Sequence, residues 1–123
     1  MLVKMNCANG GGVNFANGVE TFSSAAEEKS INCGFKPKYI VVMRIESGTV
    51  PNVGNGSCVN VYNSDFSETM YYTGSRTNGG AMYLTQYTIG DHGGLDITEI
   101  NLTGFKYKVP ANYNGTYYWF AVG

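Results

Sequence analysis

Short runs of alternating apolar residues recur about every ten positions, and Gly, Asn or Pro closes nearly every one of them. This punctuation limits the fold more than any other feature, because runs of about five to eight residues are strand-length and leave no room for paired helices. In residues 38–45, Ile40, Val41, Val42 and Met43 are apolar at both parities, which predicts a central strand covered on two sides. Strands are also expected over residues 58–62, 68–73, 81–88 and 95–102. In the last of these, Leu95 and Ile97 differ in parity from Ile100 and Leu102, so a bulge is expected near Thr98 and Glu99. Phe105, Tyr107 and Val109 alternate with Lys106 and Lys108, a strand with one wet face, and residues 116–122 form a final strand apolar on both faces. Residues 24–29 hold the only helix formers in sequence, about one and a half turns of them, too few for a stable helix, and read as a loop or bulge. Residues 13–18 carry turn chemistry, so 1–18 reads as a flexible or loosely attached segment and 19–123 as a single domain. The expected fold is all-β, an antiparallel sandwich resembling a jelly roll, with eight or nine short strands and Ile40, Val42, Trp119 and Ala121 in one core.

The surface of such a domain must be polar without being charged. Only 14% of the 123 residues are charged and the net charge is −1, against about 25% charged in an ordinary soluble domain. A nucleic-acid or anionic-membrane partner is not expected, since neither finds an electrostatic footprint here. No run approaches the ~20 apolar residues of a membrane helix. Met1 to Met5 lacks the apolar stretch of a signal peptide, so classical secretion is not expected and the chain reads as made in a cytoplasm. Cys7, Cys33 and Cys58 include no CxxC pair and are expected to be free, mostly buried thiols.

Candidate chemistry is sparse. His92, the only histidine, lies between Asp91 and Asp96, too few ligands for zinc or calcium. The nine carboxylates are scattered, with no pair placed for glycoside hydrolysis. The glycines of residues 10–12 lack the Lys-Ser or Lys-Thr ending of a phosphate loop. No catalytic residue, metal site or cofactor is expected, and the chain is not expected to be an enzyme.

Ten tyrosines, with Asn and Gly in the connections, are the informative excess. Rigid aromatic contact combined with adaptable hydrogen bonding suits a binding surface, and sugars present apolar faces to such rings. Tyrosine also fills strands, cores and subunit interfaces. The longest connections, residues 46–56 and 74–80, carry only Glu46 and Arg76 as charges. Candidate ligand contacts are therefore Tyr71, Tyr72, Arg76, Asn78, Asn52, Asn55, Tyr62 and Tyr113. Strand alternation sends Tyr71 and Tyr72 to opposite faces, so only one can be an exposed platform.

Three segments carry a resemblance: Gly34-Phe35-Lys36-Pro37-Lys38-Tyr39-Ile40-Val41-Val42, then Leu102-Thr103-Gly104-Phe105, then Asn114-Gly115-Thr116-Tyr117-Tyr118-Trp119-Phe120-Ala121-Val122-Gly123. Over residues 19–123 the chain resembles the β-sandwich domains found at the C-terminal end of tail fibres and other host-recognition proteins of tailed bacteriophages. The resemblance implies a virion protein, a homotrimer, contact with other virion proteins, and binding of a host cell-surface polysaccharide. Its alternative implication is a purely structural tail or capsid decoration subunit that binds no ligand. The matching motifs are structural, so no binding residue is carried over from them.

Overall fold

The computed structural model describes residues 2–6, 12–23, 25–44, 58–76, 82–90, 95–111 and 113–123. Ten strands run through them: β1 (Leu2–Asn6), β2 (Gly12–Phe22), β3 (Glu27–Asn32), β4 (Tyr39–Arg44), β5 (Cys58–Asn63), β6 (Met70–Arg76), β7 (Met82–Thr88), β8 (Asp96–Asn101), β9 (Gly104–Val109) and β10 (Gly115–Val122). A seven-stranded sheet has the order β1-β2-β10-β4-β5-β6-β7, and a three-stranded sheet the order β3-β9-β8. Every pairing is antiparallel. The fold is the expected all-β sandwich, with no helix among the described residues. The register of β8 shifts between Ile97 and Glu99, where the parity change predicts a bulge.

Two expectations need correction. Residues 1–18 supply β1 and more than half of β2, and β2 pairs with β10 from Phe15 to Phe22, so this segment is built into the large sheet. Asn14, Asn17 and Gly18 break its apolar pattern, yet Gly18 is required: a Cβ there would lie 2.7 Å from the Trp119 indole. Residues 27–29, expected as loop or bulge, begin β3. This strand lies at the edge of the small sheet, so Glu28 and Ser30 can face water. Lys29 instead lays its chain over Phe22, its Nζ 4.9 Å from the ring centre and 4.0 Å from Glu20. Charge on an edge strand guards it against pairing with other chains.

The two sheets enclose one aromatic core. Trp119 meets Phe105 edge-on at 5.7 Å between ring centres, Phe22 meets Tyr117 edge-on at 5.1 Å, and Tyr107 lies 5.9 Å from Tyr117. Ile40, Val42, Trp119 and Ala121 are all buried in it, as expected. Tyr107 brings its hydroxyl inside, where it donates to the Asn60 side-chain oxygen, and the Asn60 amide donates to Thr73 Oγ1 at 2.8 Å. Pairing these buried polar atoms matters, because leaving one unmet costs about 1–3 kcal/mol.

The three segments of the resemblance meet in space. The Thr103 carbonyl accepts from the backbone N–H groups of Cys33, at 2.8 Å, and Gly34, at 3.1 Å. Gly34 has a φ of +82°, a conformation natural only to glycine. Gly104 lies so close to the Ile31 carbonyl that a Cβ would overlap it, and Gly123 backs onto the Phe35 ring in the same manner. Lys38 N–H donates to the Val122 carbonyl at 2.8 Å. The motif residues thus tie the β3–β4 turn, the β8–β9 turn and the end of β10 into one corner, which is a structural task.

Outward faces differ sharply between the sheets. The small sheet is dressed with Glu28, Lys106 and Glu99, the last two 3.9 Å apart as an ion pair. On the large sheet, β4 is central as expected, but Tyr39, Val41 and Met43 point away from the core and are only half-buried. No described element covers that side.

Candidate functional site

The register puts several connections at one end of the large sheet. Arg44, at the end of β4, pairs with Cys58 at the start of β5, and Cys58 pairs with Ser75 near the end of β6. Arg76 then pairs with Met82 at the start of β7. On the other side, Tyr117 pairs with Arg44, and Gly115 with Phe22. The connections 45–57, 77–81, 110–114 and 23–26 therefore all leave from this end.

Its floor is firm. Arg44 is buried beneath the start of β10, where a Cβ on Gly115 would stand 3.3 Å from its Nε, and the φ of +140° at Gly115 again suits glycine alone. The Tyr117 hydroxyl donates to the Tyr113 carbonyl at 2.8 Å, fixing the approach to β10. Burial pushes the Cys58 thiol up to about 11, with Arg44 offsetting part of that rise, and burial likewise raises Cys33 to about 11. Tyr117 is raised by burial too.

These thiols give a stability prediction. Their folded pKa values lie above the ordinary 9.0, so the stability they contribute is complete below about pH 9 and is lost as pH rises through about 11. The melting temperature should be flat up to about pH 8.5 and then fall, less steeply in a Cys33→Ala/Cys58→Ala variant. A pH scan by circular dichroism measures this.

Of the eight candidate contacts, five lie among the described residues, and these do not share one surface. Tyr71 and Tyr62 are corrected to core residues, at 0% and 2% exposure. Tyr71 donates to Asp96 Oδ1 at 2.5 Å and lies 6.1 Å from the Tyr87 ring, and burial followed by the Asp96 contact raises its pKa. Its parity faces the small sheet, so the outward ring of the pair is the half-buried Tyr72. Tyr113 is half-buried at the connection-bearing end, and Arg76 closes β6 there. Asn52, Asn55 and Asn78 lie outside the described residues, as do Asp91 and His92. Among the described residues no three His, Cys, Asp or Glu side chains gather as a metal site would require, and no helix is long and apolar enough to cross a membrane.

Comparison with protein-family models, curated proteins and solved structures gave no match. The residues themselves must carry the functional reading. Besides the connection-bearing end, the unusual surface is the outer face of the large sheet. Its signal in the sequence is the two-sided apolarity of residues 39–43, 59–62 and 117–122, which alternation alone reads as burial on both sides.

Proposed function

We propose that the chain is a β-sandwich module of a phage tail that recognises a neutral host-surface glycan and works as a homo-oligomer. The observation that supports it is the gathering of the long, almost uncharged connections 45–57 and 77–81 at one end of a rigid sheet. Connections held at fixed ends vary freely at their tips, and asparagine side chains there suit hydroxyl-rich ligands. Asn52, Asn55, Asn78, Arg76 and Tyr113 are the contacts this reading retains. Its other support is the resemblance of the corner motifs to tail-protein sandwiches.

A second reading, a structural virion subunit without a ligand, is favoured by the nearly uncharged outer face of the large sheet, which suits subunit packing better than recognition of sugars. An array of bacterial surface polysaccharides separates the two. The receptor reading expects binding by the wild-type chain, reduced several-fold in Asn52→Ala/Asn55→Ala/Asn78→Ala at unchanged melting temperature. Absence of binding by a folded sample selects the structural reading.

A further inference from the structure

We propose that the outer face of the seven-stranded sheet is covered by a second copy of this chain, packed face to face about a two-fold axis that runs along the strands between β4 and β5. The inference rests on the homo-oligomer part of the reading above and not on the glycan. Register partners form a row across six strands: Asn17, Phe120, Val41, Val61, Tyr72 and Gln86. Four apolar side chains fill the middle and an amide stands at each end, the apolar centre and polar rim of a subunit interface. Val19, Tyr118 and Leu84, on the next row, are 56%, 45% and 60% exposed. Among the outward positions of β2, β10, β4, β5, β6 and β7 the one charged residue is Arg76, at the last position of β6. The small sheet, by contrast, turns charged residues outward, so the chain carries charge on its other solvent face.

The strand order makes this face complementary to itself. The proposed axis leaves β1, β2, β10 and β4 on one side and β5, β6 and β7 on the other, so β1 reaches past the edge of the second copy. It lays β2 of one copy over β7 of the second, β10 over β6, and β4 over β5. Asn17 then faces Gln86, amide to amide, and Val41 faces Val61. Along the next row, Val19 faces Leu84, and the protruding Tyr118 faces Gly74, which has no side chain to meet it. A groove of about 300 Å³ beside Val19, Phe15 and Tyr118 lies under the second copy's β7, ready to receive Leu84. Six strands at about 4.8 Å spacing and about 20 Å length give roughly 570 Å² in projection, and side-chain relief brings the accessible area near the ~800 Å² per partner of a stable interface. A face whose one charged position is Arg76 at its end has little electrostatic code for choosing a foreign partner. A second copy needs none, because a two-fold contact uses the same patch twice.

Light scattering after size exclusion should give twice the 13.3 kDa chain mass, unchanged between low and high salt because no ion pair is screened. Val41→Lys should give the monomer mass, while Val41→Thr stays paired. Asn17→Cys/Gln86→Cys places its two thiols at opposite edges of one sheet but together across the axis, so a short bismaleimide should link it into dimers that neither single variant forms. A monomeric or trimeric wild type, a Val41→Lys protein that stays paired, or no linkage above the single-cysteine controls overturns the pairing. If Val41→Lys does not fold, the cross-link decides.

Discussion

Gly104→Ala is expected to lower the melting temperature by more than about 10 °C, a loss of at least ~3 kcal/mol. Its added Cβ would overlap the Ile31 carbonyl oxygen and stand 3.1 Å from the Cys33 backbone nitrogen. These neighbours are main-chain atoms that cannot rotate away. Ile31 pairs with Phe105 and Asn32 with Gly104 itself, so relief requires β3 to part from β9. That movement would strip the Thr103 carbonyl of both N–H groups it accepts from. A thermal melt followed by circular dichroism checks this. A variant within about 3 °C of wild type would mean that the corner is not the tight junction described.

Asn60→Leu is expected to destabilise by about 3 kcal/mol despite the similar volume. Asn60 is fully buried, and it is both the acceptor for Tyr107 and the donor to Thr73. Leucine leaves the Tyr107 hydroxyl in the core with its acceptor gone. Removing that hydroxyl as well, in Asn60→Leu/Tyr107→Phe, should recover roughly 1–2 kcal/mol, since apolar groups facing each other cost far less than one stranded polar atom. Urea melts of the two single variants and the double variant give the coupling directly. Additive losses would show that the two side chains do not act as a pair.

Much of the sandwich was legible because β-strand alternation has a period of two and most turns are marked by Gly or Asn. Phe105, Tyr107 and Val109 announce an inward face that the structure keeps. Legibility failed where both parities are apolar. In Tyr71-Tyr72 and in residues 39–43 the pattern says strand but cannot say which side is the core, so Tyr71 reads as a candidate contact although it is fully buried. It failed also at β3, whose charged residues look helical in isolation but suit a sheet edge, with Lys29 spending its aliphatic chain on Phe22. Gly18 looks like a turn residue until Trp119, a hundred residues on, is seen to occupy its space. Such a dependence is invisible to any local window. The convergence of connections at one end is likewise a property of register rather than of sequence.

The pairing of β2 with β10 joins residues roughly 90 to 110 positions apart, and closing so long a loop is entropically costly and slow. The meander from β4 to β7 pairs only neighbours in sequence and can zip together as it emerges. During synthesis at ~5–20 residues per second, β2 therefore waits about 5 to 20 s for the strand that separates it from β4. Through that interval the growing chain displays an open seam between β2 and β4, shaped for one particular strand and sealed only when β10 has been made. Completion of this sandwich waits on one strand, and a chain without β10 would remain split into two unjoined pieces of sheet.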